Sequence, residues 1–107
     1  MLCRMACIME VTFAVSDLEE LATGDERDAG FPLAVVKAYR MRVQFIRCAL
    51  DERDFYAMKS WRFEKLKGNR GHQCSIRLND QWRLIVELDG KGADKIVVVK
   101  SIEDYHS

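Results

Sequence analysis

The stretch CSIRLNDQWRLIVEL, residues 74–88, decides the fold. Cys74, Ile76 and Leu78 alternate with Ser75 and Arg77, the period of a strand with one apolar and one polar face. Asn79-Asp80 is a turn pair, since both side chains bond readily to the backbone just ahead of them. Trp82–Leu88 (WRLIVEL) then resumes strand-forming sequence, so the two runs form an antiparallel hairpin. Connection length decides which side chains share a face. A two-residue turn at 79–80 puts Arg77 and Arg83 on opposite faces, and a four-residue connection puts them on the same one. The sequence leaves both registers open.

Working outward, DGKG at residues 89–92 is a second hairpin turn, and Lys95–Lys100 (KIVVVK) is a strongly apolar strand. On the other side, Trp61–Leu66 reads as a strand leading into the turn LKGNRG. Further upstream the period changes. Val36, Tyr39, Val43, Ile46 and Leu50 recur at helical spacing, with Val35, Ala38 and Phe45 widening the stripe. A helix from about Leu33 to Leu50 follows, with Pro32 suited to its first turn. DERDFYAM, residues 51–58, adds one more helical turn. Met9–Val15 reads as a strand. Ser16 with Glu19 forms a capping box for a short helix from Asp17 to about Thr23, ended by Gly24. The order β-α-α-β-β-β-β predicts a single α+β domain, its two N-terminal helices packed on one face of a mostly antiparallel sheet of four to five strands. Residues 1–8 are read as an upstream extension, disordered or non-native, of a core that begins near Met9.

The chain has 107 residues, enough for one core. No apolar run is long enough to span a membrane, and no secretory signal pattern is present. Cys3, Cys7, Cys48 and Cys74 match no zinc spacing and read as reduced cytosolic thiols. Nothing suggests a metal or a bound cofactor. Net charge is zero, but its distribution is uneven. Residues 1–58 hold seven Lys/Arg against ten Asp/Glu, while residues 59–107 hold ten against seven. Within residues 59–83, seven basic side chains oppose only Glu64 and Asp80. A phosphate backbone meets that local charge, not the total.

If Arg77 and Arg83 share a face, Ser75 lies beside them, with Lys67 and Arg70 in the adjacent loop. Two guanidiniums on one face suit a phosphodiester, because each binds phosphate oxygens bidentately and stays charged. The same pattern also describes the solvated outer face of an ordinary antiparallel sheet, and pattern alone favours that description. Trp82, opening a strand, reads as core. Trp61 reads equally as core or as a base-stacking platform, and His72 reads as surface.

The blocks Arg62, Leu66-Lys67-Gly68, Asn69-Arg70, Ser75-Ile76-Arg77, Asn79 and Trp82-Arg83, followed at residues 104–106 by Asp-Tyr-His, resemble the HigB-type toxins of the RelE/ParE superfamily. These belong to bacterial type II toxin–antitoxin pairs. The resemblance is strong over about half the chain and implies a RelE-like fold. It also implies a ribosome-dependent mRNA endoribonuclease, in which a ribose 2′-OH attacks its own 3′ phosphate. That chemistry needs a base, positive charge on the developing phosphorane and an acid for the leaving oxygen. By resemblance, Arg77 and Arg83 stabilise the phosphate, and Lys67, Arg70 and Arg62 bind RNA. Asp104 and His106 transfer protons, and Tyr105 stacks on a base or positions the 2′-OH. Glu64 stands where many family members carry a His, and is either a general base or a solvated charge.

The implied partners are a helix-turn-helix antitoxin of the HigA type, the ribosome and its mRNA, and operator DNA only through the antitoxin. The implied location is the cytoplasm, away from any membrane. Two alternatives stay open. One is a ParE-like poison of DNA gyrase, which would not require the terminal Asp-Tyr-His with an arginine pair. The other is an inactive nucleic-acid-binding subunit of a toxin–antitoxin repressor, which the Glu64 departure and the neutral total charge keep in play.

Overall fold

A computed structural model describes residues 9–23, 30–49, 52–90 and 95–104. Strand β1 (Glu10–Phe13) leads into helices α1 (Ser16–Ala22), α2 (Leu33–Cys48) and α3 (Arg53–Ala57). Strands β2 (Glu64–Lys65), β3 (Gln73–Arg77), β4 (Trp82–Asp89) and β5 (Ile96–Asp104) follow. The sheet order is β1-β5-β4-β3-β2. β1 runs parallel to β5, and every other pairing is antiparallel. This is the α+β layout that the order of periodicities predicts. The extension at residues 1–8, the Gly24 helix stop and the DGKG turn residues 91–92 lie outside the described residues. Among those described, no helix is long and apolar enough to cross a membrane.

The helices cover one face of the sheet. Val35, Val36, Tyr39, Val43 and Ile46 of α2 are buried, at the i, i+3, i+4 spacing of an apolar stripe. Beneath them the strands present Cys74, Ile76, Leu84, Val86, Val97 and Val99, all in one core. Each fully buried aliphatic side chain contributes about 1.5–3 kcal/mol. Two polar bonds fasten the helices together: Tyr39 Oη donates to the Leu18 carbonyl at 2.6 Å, and Arg40 Nε to the Leu21 carbonyl at 2.8 Å. Cys48 and Cys74 are thiols and not disulfides, and burial pushes the Cys74 thiol up.

Three local expectations are corrected. Val15 takes the N-cap of α1, with no side-chain cap bond, and Ser16 is already helical. The backbone closes that turn by itself through Leu18 N–H to the Val15 carbonyl at 3.2 Å. Helix α2 stops at Cys48, because Ala49 swings to extended backbone (ψ 149°). Trp61 belongs to no strand. It ends a 3-10 turn, Lys59–Trp61, followed by Arg62 in the left-handed region (φ 47°, ψ 47°). That reversal cuts the strand to Glu64–Lys65 and sends the Trp61 ring inward, 4.9 Å from Phe45 and 5.7 Å from Phe55. Trp61 is core and unavailable to a base.

β5 contains an irregularity with large consequences. Ile85 pairs with Ser101, but Val86 pairs with Val99, so Lys100 is an extra residue. Side chains alternate along a strand, and a one-residue bulge reverses the alternation beyond it. Before the bulge Val97 and Val99 face the helices. After it Ile102, paired with Leu84, faces them, while Ser101 and Glu103 face away.

Candidate active site

The β3–β4 connection settles the open register. Asn79 Oδ1 accepts from the Gln81 and Trp82 N–H groups, each at 2.8 Å, and Leu78 N–H donates to the Trp82 carbonyl at 2.8 Å. The connection is the longer of the two possibilities, so Arg77 pairs directly with Arg83. Both lie on the sheet face turned away from the helices. Beside them Glu64 pairs with Ser75, on the same face and next to Arg77. Arg62, Glu64, Arg77 and Asp80 line an open cleft of about 350 Å³. Arg62, Glu64 and Arg77 are three of the residues that the sequence singles out. The left-handed backbone at Arg62, at a cost of about 1–2 kcal/mol for a residue with a Cβ, is separated only by Phe63 from the strand that carries Glu64.

The arginines have partners. The Arg77 guanidinium bonds Asp80 of its own turn. The Arg77 carbonyl accepts from Arg42 Nε at 3.3 Å and Nη2 at 3.1 Å. Arg42 comes from α2, with its guanidinium 5.4 Å from the Trp61 ring. Burial, and then Arg77, lower its pKa. Sequence reasoning passes over Arg42, because its role is a contact between residues far apart in the chain.

Glu103, also passed over, is the hub of the outer face. Its Oε1 and Oε2 accept from Arg70 Nη1 at 3.0 Å and Nη2 at 2.7 Å. Ser101 Oγ donates to Oε2 at 2.9 Å, and Arg83 Nη2 lies 3.6 Å from Oε1. The Arg70 bond holds the Glu103 carboxyl below the usual carboxylate range, with Ser101 adding to the effect against partial burial. Arg70 Nε also donates to Gln73 Oε1 at 2.8 Å. Gln73 is on β3 and Glu103 on β5, so the Arg70 side chain crosses β4 between them. Within β4, Ile85 pairs with Ser75 on one side and Ser101 on the other. Ile85 and Ser75 are fully buried although they face away from the helices. Arg70 is thus a strap over the sheet and not a loop cation. The polar outer face expected for Ser75 is closed there, and Ser75 Oγ has no hydrogen-bond partner among the described residues.

The remaining sequence candidates separate. Lys67 is exposed on extended backbone just before the Gly68–Arg70 turn. Asp104 pairs with Trp82, so alternation puts it on the helix side, opposite to Arg83. Gln81 Nε2 donates to its Oδ2 at 2.8 Å. The Trp82 ring packs edge-on against Phe31 at 5.3 Å and on the core, as expected. His72 is exposed, 3.4 Å from Glu87 Oε2. Tyr105 and His106 lie outside the described residues. The arrangement places Arg62 and Arg77 with two exposed carboxylates, Glu64 and Asp80, around an open cleft, and Arg83 is paired with Arg77 beside it. Such a set can hold a phosphodiester and accept a proton.

Comparison with known proteins gives the family and the fold. A family model described as the RelE-like toxin of type II toxin–antitoxin system HigB matches residues 11–106. Toxin HigB-1 of Vibrio cholerae is 34% identical over 83 residues, covering 77% of this chain and 87% of that relative. Among solved structures, the YoeB/ParE toxin from Agrobacterium tumefaciens superposes with a TM-score of 0.58 at 16% identity, covering 91% of this chain and 99% of that one. The YoeB–YefM complex from Staphylococcus aureus gives 0.54 at 22% identity, covering 92% and 98%. At such identities the solved structures speak for the fold alone.

Proposed function

Because the chain belongs to the HigB-like, RelE-family toxins of type II toxin–antitoxin systems, we propose that it is a ribosome-dependent mRNA endoribonuclease, cutting by 2′-OH attack on the adjacent phosphate. The observation that carries this reading is the direct pairing of Arg77 with Arg83 beside the cleft that Arg62 and Glu64 line. In it, Arg77 and Arg83 meet the phosphate and stabilise the charge that grows on its oxygens. Arg62 and Lys67 orient the RNA. Glu64, which lines the cleft on the arginine face, is the proton acceptor. Asp104 leads directly into Tyr105 and His106, the other proton-transfer and stacking candidates. The protein works in the cytoplasm with ribosome and mRNA, and meets operator DNA only through a helix-turn-helix antitoxin of the HigA type. Membership of a family of type II toxin–antitoxin systems supports an antitoxin partner, and the apolar surface around Met41, Gln44, Phe45 and Cys48 on α2 is its proposed seat.

The test is induction of the wild-type chain and Arg83→Ala in bacteria, with mRNA 5′ ends mapped while growth is followed. The expected result is growth arrest with cuts inside translated codons, reduced by about 10²–10³ in the variant, the scale of one lost charge-stabilising donor. Arrest with intact mRNA would instead indicate a gyrase-type poison. No arrest from folded protein would indicate an inactive binding subunit.

A further inference from the structure

The outer face carries more positive side chains than it offers to solvent. Arg70 spends its two terminal nitrogens on Glu103, Arg83 is turned towards the same carboxylate, and Arg77 bonds Asp80. The Glu103 carboxylate thus sits where two guanidiniums and the Ser101 hydroxyl converge. Carboxylate and phosphate present the same pair of acceptor oxygens to an arginine fork. Arg70 cannot grip both bidentately.

We propose that Glu103 occupies the place of an RNA phosphate on the resting protein, and that RNA binds by exchange, its phosphate taking Arg70 and Arg83 from Glu103. The inference rests on the nuclease reading above and adds to it the identity of the group that RNA must displace. It accounts for a basic segment within a chain of zero net charge: the arginines are held at the site with their charge already answered. A phosphodiester carries the same single charge as the carboxylate it replaces, so exchange gives little advantage unless Arg62 or Lys67 also engages the RNA. Free RNA is therefore held weakly, and RNA presented in register is held well. Keeping the forks ordered beforehand also lowers the side-chain entropy lost on binding.

The experiment measures binding of a short single-stranded 2′-O-methyl RNA, which lacks the attacking hydroxyl, by fluorescence anisotropy across a salt series. Wild type, Glu103→Gln, Glu87→Gln, Arg70→Ala and the Glu103→Gln/Arg70→Ala double variant are compared, each checked for folding by circular dichroism. Glu87 lies on the same face and reaches Arg70 through Gln73, so its variant removes the same charge while leaving the Arg70–Glu103 bonds in place. Exchange predicts that Glu103→Gln binds about tenfold tighter than wild type, the worth of one charge-assisted hydrogen bond, and clearly tighter than Glu87→Gln. Its plot of log affinity against log salt should steepen by about 0.7 for each additional phosphate neutralised. Arg70→Ala should change little in the wild-type background and abolish the tighter binding in the Glu103→Gln background. Should Arg70→Ala not fold, Arg70→Lys, which keeps the charge and loses the fork, is read in the same cycle. If Glu103→Gln binds no tighter than Glu87→Gln, or if Arg70→Ala weakens both backgrounds equally, the exchange is overturned even where the wild type cuts mRNA in cells. If no protein in the series shows salt-dependent binding, the exchange is overturned, while the nuclease reading stands or falls on the mapping of cut mRNA in cells.

Discussion

Ile76 faces Leu84 across β3 and β4 on the helix side of the sheet, and both are fully buried. One rung away, on the opposite side, Arg77 faces Arg83. Neighbouring rungs of one hairpin thus hold an aliphatic pair that excludes water and a pair of like charges that would repel if left alone. The helix side needs only shape and apolar area. The outer side needs a partner for every charge, and draws them from a turn (Asp80), from another strand (Glu103) and from a loop (Arg70). Even its buried centre differs: Ile85 is fully buried yet lies outside the helix-side cluster. Stability is therefore concentrated on one face, and chemistry is left to the other.

The largest expected effect is on the helix side. Ile76→Ala should lower unfolding free energy by about 2–5 kcal/mol in a urea titration, because rigid neighbours on both sides cannot fill the cavity. Ile85→Ala removes the same atoms on the outer face and should cost about 2 kcal/mol, the low end of the range, since no helix-side core packs rigidly around that residue. Equal losses at both sites would break the contrast between the faces. Tyr39→Phe leaves the Leu18 carbonyl without its buried donor and should cost about 1–2 kcal/mol, with no change in RNA cleavage.

The smallest effect is the acid response of the outer face. Glu103 has a folded pKa below its unfolded value. Its contribution is therefore fully present above the unfolded carboxylate value of about 4.3 and is lost as pH falls through the lower folded value. Glu103→Gln should flatten the fall in stability below about pH 4 relative to wild type, by a small amount because the pair is partly exposed.

The same contrast explains what the sequence shows. The helix-side core follows from local periodicity: the α2 stripe, the Cys74-Ile76-Leu78 alternation and the apolar run of β5 are all visible as spacing. Arg77 and Arg83 are visible as residues, but their register depends on how Asn79 closes the turn. The role of Arg70 is invisible, because it depends on Gln73 and Glu103 lying either side of β4. Glu103 itself is hidden by the bulge. Counted from Val97 and Val99 by simple alternation, Ser101 and Glu103 belong in the core and Asp104 on the arginine face. The extra residue at Lys100 reverses both placements. Likewise the strand expected at Trp61–Leu66 fails at one backbone torsion, that of Arg62, which composition does not announce.

The pairing of β1 with β5 has a consequence for how the molecule comes into being. The first described strand lies beside the last, and β5 sits between β1 and β4. As the chain is synthesised, the β3–β4 hairpin can form early from neighbouring residues. β1 has no place to dock until β5 emerges, and β5 also brings the carboxylate that answers Arg70 and Arg83. Pairing between such distant segments slows folding, because the loop between them must be closed before they contribute. The nascent protein therefore passes through a stage in which Arg77 already has Asp80 while Arg70 and Arg83 still lack Glu103, and the sheet and its electrostatic balance are completed together by the same strand.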